Sequence, residues 1–361
     1  MFAFGLVSYY NTHDNIMGNN FQGDILNMSN IFNVFEQRAR EIKGKTLVFP
    51  EGDEPRVSRA VKKLLENNMC KVVVLGDEKI LNEMYENHEL LAKIDPKPTT
   101  EKQQKYAQEL YELRKHKGLT EEQACSIITD VNYYGCMMLK LGDADGLVSG
   151  AITTSADVMR PAFQIIKQKK EISIASSCFI MEIPENKVDI LGENGLMVLA
   201  DCAVVPYPDE EGLHAIAESS IETAKNICGM TPRVSFLSYT SNTAKTTDET
   251  TLKIKAAAKR TQEKHPELVI EGELQADASL NAQTAKTKVP NSKIAGRANV
   301  LIFPDLNAGN IGYKLIQQFS GVKAVGPIIQ GLNKPVNDLS RGATDEEIYL
   351  TSLITLIQAE C

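Results

Sequence analysis

The chain has 361 residues, 43% of them hydrophobic and 24% charged, which is enough apolar material for a full core and for about two domains. Its 39 Lys and Arg stand against 47 Asp and Glu, a formal net charge of -8. That balance argues against a general binder of nucleic acid or anionic membrane, although a few Arg can still hold a small anion locally. No stretch approaches the ~20 apolar residues of a membrane span, so no membrane partner is expected.

Residues Met1 to Asn27 contain no Lys or Arg and only a short apolar start, Phe2 to Val7. A secretory signal needs a basic beginning and a longer apolar stretch, so residues 1–27 read as a disordered N-terminal extension. An initiation codon placed too far upstream fits this reading, with Met28 as the ordinary start. Ile31, Phe32, Val34 and Phe35 then fall on helical spacing.

Thr46 to Pro50 reads as a buried strand, Pro55 to Asn67 as a helix with Val57, Ala60, Val61, Leu64 and Leu65 on one face, and Lys71 to Gly76 as a second strand. Such strand–helix–strand units, with near-continuous Val and Leu in the strands, indicate a parallel sheet covered on both faces. From about Thr100 to Lys140 the pattern is helical. Further strands are read at Gly146 to Gly150, Val234 to Ser238, Leu268 to Ile270, Val300 to Pro304 and Ala324 to Gly326. Ile172 to Met181 and Leu196 to Val205 read as longer ones. The class is α/β, with no internal repeat.

Seven scattered Cys without a C-x-x-C pair fit a reducing cytosol, and a cytoplasmic location is expected. The five His are equally dispersed, so no metal site is expected. His116 and His214 read as surface or satisfied side chains. Cys136 and Cys178 lie in apolar surroundings that raise a thiol's pKa, which makes them poor nucleophiles.

In open α/β sheets ligands gather beyond the carboxyl ends of the strands. The segments there are Pro50 to Arg56, Ser149 to Pro161, Ser238 to Lys245 and Pro304 to Asn310, rich in Ser, Thr, Gly and Asn. Loops of this kind can leave backbone N–H groups free for an anion, or can be ordinary helix caps. Four at one sheet edge favour a phosphate-bearing ligand. Neither G-x-x-x-x-G-K-[ST] nor G-x-G-x-x-G occurs, so a P-loop is excluded and a dinucleotide reading is weak.

Several segments carry a resemblance: Pro50-Glu51-Gly52-Asp53, Ala144 to Ala151, Arg160 to Gln164, Gly272 to Asp277, Asn307 to Leu315, Gly326 to Leu332 and Lys334 to Gly342. In order, over about Met28 to Cys361, they resemble the phosphate acetyl/butyryltransferase family, and phosphate acetyltransferase within it. The resemblance implies reversible transfer of acetyl between CoA and phosphate, with acetyl-CoA, acetyl phosphate and phosphate as small-molecule substrates. It implies no metal or redox cofactor, a place in acetate metabolism linked to acetate kinase, and a homodimer. It also implies two α/β domains with mostly parallel sheets, an isocitrate/isopropylmalate dehydrogenase-like architecture, and an active site in the interdomain cleft. The boundaries expected are 28–170 plus 325–361 for domain I and 171–324 for domain II.

By the same resemblance Arg114 and Arg160 contact phosphate and acyl groups, a role that suits the planar guanidinium fork. Ser149 and Thr154 are substrate-binding candidates in the loop after a strand. Ser340 and Arg341 would sit beside the thiol sulfur and the reacting carbonyl. The family's catalytic aspartate falls on Glu347, one methylene longer. Thr344-Asp345-Glu346-Glu347 also reads as a capping box, so Glu347 has two competing roles. The family usually has a glycine in the loop after Leu237-Ser238-Tyr239, and Ser238 to Lys245 has none. Direct attack of the CoA thiolate on acetyl phosphate is expected. Butyryl or another acyl preference, and a non-catalytic acetyl-CoA-sensing module, are the alternatives.

Overall fold

The computed structural model describes residues 31–242, 248–294 and 296–361. The extension read at 1–27 and the end of the Ser238 to Lys245 loop lie outside the described residues. Eleven strands form two sheets: β1 (Thr46–Phe49), β2 (Lys71–Leu75), β3 (Leu91–Ile94), β4 (Gly146–Ser149), β5 (Ser176–Glu182), β6 (Leu196–Ala200), β7 (Arg233–Leu237), β8 (Val269–Leu274), β9 (Val300–Ile302), β10 (Ala324–Gln330) and β11 (Val336–Asp338). The first sheet is all parallel, in the order β11-β4-β1-β2-β3. The second runs β10-β5-β6-β9-β7-β8 and is parallel except where β5 pairs with β10 and β6.

The helix Pro55–Glu66 shows how local chemistry sets an element. Pro55 starts it, where a missing N–H costs nothing, and Glu54 caps it. The predicted face of Val57, Ala60, Val61, Leu64 and Leu65 is buried. Residues Thr100 to Lys140 form the helices Glu101–Arg114, Glu121–Ile127 and Val131–Leu141, as their periodicity predicts.

Two strand expectations change. Leu196 to Val205 is not one long strand, because the Asp201 carboxylate takes the N–H groups of Ala203, Val204 and Val205 and curls the chain after Ala200. Ile172 to Ala175 stays outside β5, which starts at Ser176.

On sheet membership the chain crosses between the two units at two touching segments. Gln168 bridges Leu332, Lys169 N–H donates to Gly331 O at 2.8 Å, and Asn333 N–H donates to Lys167 O at 3.0 Å.

One hydrophobic cluster runs through both sheets, joining Leu47, Phe49 and Val72 to Ile180, Val198 and Val300. The helix Asp345–Glu360 contributes Ile348, Leu353 and Ile354 to it and is buried continuously from Ile348 to Ile357. A helix buried all round sits inside a core, and its Ser352 and Thr355 hydroxyls are satisfied by the carbonyls of Ile348 and Thr351. Its N-terminus is thereby fixed at the edge of the first sheet.

Candidate active site

The ends of β1, β4 and β11 lie side by side, and each is followed by a loop that the sequence singled out. After β1, the Glu51 carboxylate is buried and turned toward the loop that follows β4. Its Oε2 accepts the N–H groups of Gly150 at 2.9 Å and Ala151 at 2.6 Å. Its Oε1 accepts those of Ile152 at 3.1 Å and Thr153 at 2.8 Å, together with the Thr153 hydroxyl. The sequence offered these amides to an external anion. The fold fills them with an internal one.

Arg56 completes the junction. Its Nη1 donates to the carbonyls of Arg341 and Ala343, and its Nη2 to that of Ala151, each at 2.9 Å. Leu339 N–H donates to Ser149 O at 2.7 Å. The loops after β4 and β11 are therefore joined through one guanidinium and one backbone bond.

Asp338 sits beneath this junction. The residue is 4% exposed, and its Oδ1 has no hydrogen-bond partner among the described residues. Burial pushes the carboxyl up to about 6; the Glu51 charge adds to the rise and the Ser155 hydroxyl opposes it.

Ser340 is exposed and closes a tight turn: its hydroxyl accepts Gly342 N–H at 3.3 Å and its carbonyl accepts Ala343 N–H at 2.9 Å. The cap of the final helix is Thr344. Thr344 N–H donates to Glu347 Oε2 at 2.8 Å, and Glu347 N–H donates to the Thr344 hydroxyl at 3.2 Å, so the capping box forms. Glu347 Oε1 makes no hydrogen bond among the described residues. The carboxylate can cap and still present one oxygen.

Ser340, Gly342 and Glu347 line a cleft of about 370 Å³ between the two sheets. Its opposite wall is Phe179, Tyr313, Lys314 and Gln317. Phe179 and Tyr313 stack at 3.8 Å between centroids, and the exposed Lys314 brings a cation into the cleft. Arg114, Arg160, Arg341, Ser149 and Thr154 do not line this space. Arg114 and Arg160 instead flank Tyr133, where both guanidinium charges act on the phenol against the upward push of burial. Arg160 is exposed and pairs with Asp157 at 3.3 Å. Arg114 is half-buried and makes no ion pair among the described residues.

Thr154 caps the helix Ser155–Pro161, its hydroxyl accepting Asp157 N–H at 3.3 Å and donating to the Asp157 carboxylate at 2.8 Å. Ser149 is fully buried, its hydroxyl donating to Asn132 at 2.8 Å, and it has no face open to a ligand. Arg341 is exposed, and its backbone carbonyl holds Arg56. Sequence reasoning passed over Glu51, Arg56, Asp338 and Lys314 as functional residues. Cys136 and Cys178 are fully buried, and burial raises both thiols far above their ordinary range.

The comparisons with known proteins match this frame. A family model described as phosphate acetyl/butaryl transferase matches residues 30–356. A phosphate acetyltransferase of Thermoanaerobacterium thermosaccharolyticum is 47% identical over 317 residues, covering 88% of this chain and 95% of that protein. A phosphotransacetylase structure from Streptococcus pyogenes is 38% identical at a TM-score of 0.83, covering 91% of this chain and 98% of the other. The EutD phosphotransacetylase of Staphylococcus aureus is also 38% identical, at a TM-score of 0.81, with 92% and 99% covered. With likeness of this depth in both sequence and fold, over nearly the whole described chain, the protein belongs to the phosphate acetyl/butaryl transferase family.

Proposed function

We infer that the chain is a phosphate acetyltransferase: acetyl-CoA and phosphate are converted reversibly to acetyl phosphate and CoA. The observation that supports the chemistry is the cleft lined by Ser340 and Glu347 on one wall and Lys314 on the other. In the direction of acetyl-CoA formation, Glu347 takes the proton of the CoA thiol. The thiolate attacks the acetyl carbonyl, and the tetrahedral oxyanion collapses with loss of phosphate. Donors aimed at that oxyanion are worth most where water is excluded. Ser340 and Arg341 are assigned to it, and Arg114 and Arg160 to the phosphate, on the family resemblance alone, since the three Arg lie outside the cleft lining. Thr154 sets the helix that carries Arg160. Ser149 acts indirectly, through Asn132.

Direct transfer is supported by the burial of Cys136 and Cys178, which leaves neither thiol placed to carry an acetyl group. The helix Leu306–Ser320 exposes Ile311, Leu315 and Phe319 on one face, with Phe319 88% exposed. A patch of this kind marks an interaction surface, and we assign it to a homodimer. Among the described residues no helix is long and apolar enough to cross a membrane. A cytoplasmic enzyme sharing acetyl phosphate with acetate kinase is the physiological setting we propose.

The test is formation of acetyl-CoA from CoA and acetyl phosphate, repeated with butyryl phosphate. Faster turnover of acetyl phosphate supports the reading. Preference for butyryl phosphate moves the chain to the other acyl class, and no turnover of either substrate overturns the reading.

A further inference from the structure

The Glu51 carboxylate lies at the end of β1, almost a hundred residues from the loop it binds. Four consecutive amides, Gly150 to Thr153, and the Thr153 hydroxyl all point at its two oxygens, at 2.6 to 3.1 Å for the amides. Successive N–H groups turned to one point form an anion-binding concavity. Here that concavity is occupied from inside the fold by a carboxylate only 3% exposed.

Gly150 and Ala151 are buried, so their amides need a partner inside the fold, whereas Ile152 is exposed and its amide could be served by water. What the carboxylate adds is a fixed position. Thr154 follows the loop directly, caps the next helix, and through it places Arg160. Arg56, four residues into the segment after Glu51 and Gly52, ties the same loop to the carbonyls beside Ser340.

We propose that Glu51 is a positioning residue: an internal anion that fills the amide concavity after β4 and sets Thr154 and, through the helix that Thr154 caps, Arg160 for acetyl phosphate. The proposal rests on the phosphate acetyltransferase reading and deepens it. Glu51 touches no substrate. It works through five hydrogen bonds to the loop that leads into the Arg160 helix, and misplacement of a binding group by ~1 Å can cost about 100-fold.

The test compares Glu51→Gln and Glu51→Gly with the parent enzyme. Gln keeps the shape of the carboxylate but replaces one acceptor by a donor that faces amide N–H groups. Its kcat/KM for acetyl phosphate is expected to fall roughly 100-fold, with KM for CoA within about twofold of the parent. In Glu51→Gly the concavity is emptied, and added formate, a small carboxylate of the same chemistry, is expected to restore turnover saturably. Formamide at equal concentration, lacking the charge, is expected not to.

Unchanged acetyl phosphate kinetics in both variants would overturn the proposal. So would equal losses for CoA and acetyl phosphate that formate does not relieve, or failure of both variants to fold, either of which assigns Glu51 to stability alone. An inactive parent enzyme would instead count against the acetyltransferase reading, so the two failures are distinguishable.

Discussion

At the scale of single residues, Glu347 is where two sequence readings meet, and the geometry allows both. Oε2 is committed to the capping box, and Oε1 is left for a proton. Glutamine at this position caps equally well, because the box accepts Glu or Gln. Glu347→Gln should therefore change stability by less than the roughly 1 kcal/mol that loss of a cap costs. Its kcat should fall at least about 100-fold, the low end of general-base contributions. Turnover and melting temperature measured on the same preparation check this. Normal turnover in the variant would leave Glu347 as a cap only.

Asp338 makes a prediction of opposite character. Its carboxyl titrates near 3.9 in an unfolded chain and is raised to about 6 by burial in the fold. A raised carboxyl favours the folded state while it is protonated, and that contribution is lost as pH climbs from about 4 through 6. Across that window the loss is of the order of 3 kcal/mol. Asparagine mimics the neutral acid. Asp338→Asn should raise the melting temperature more at pH 8 than at pH 5, and an equal shift at both would show that Asp338 does not titrate as described.

At the scale of elements, the site is a junction of loops at the ends of β1, β4 and β11. Gly150 takes a φ of +107° there, and a Cβ would stand 2.7 Å from Leu339 N and also collide with Asp338 Oδ1. Only glycine adopts that backbone without strain and leaves that space. Gly150→Ala should destabilise the fold by about 2 kcal/mol or more and reduce turnover through the displaced Ser340 loop. Urea unfolding and the acetyl-CoA assay together check it.

The elements themselves were largely legible, because buried parallel strands read as runs of Val and Leu. The misses have physical causes. β3 is a half-exposed edge strand of mixed composition, and β11 is three residues long behind Pro335. Neither has enough apolar content to announce itself. Leu196 to Val205 reads as continuous because Cys202, Val204 and Val205 are apolar, while Asp201 ends the strand by capturing amides. A carboxylate at a strand end, before an apolar stretch, was the available signal.

At the scale of the molecule, the legible part of the site was the part written in one contiguous motif, Lys334 to Gly342. What was not legible depends on contacts between distant segments. Glu51 and Arg56 act on residues roughly one hundred and three hundred positions away, and no local pattern marks such partners. Lys314 becomes a wall of the cleft only when the helix Leu306–Ser320 is brought opposite Ser340. The same helix carries the apolar face assigned to the dimer. Light scattering should give twice the chain mass for the parent and the chain mass for Phe319→Asp; a parent at the chain mass would remove the dimer assignment.

The central claim is that acetyl passes directly between CoA and phosphate, with no acetyl group resting on the protein. An acetyl-enzyme intermediate would exchange phosphate with acetyl phosphate in the absence of CoA. Radiolabelled phosphate incubated with acetyl phosphate and the purified chain is therefore the most direct measurement. Label should enter acetyl phosphate only when CoA is added, at a rate that rises with CoA. Exchange without CoA would contradict direct transfer, and absence of exchange with CoA would contradict the activity itself.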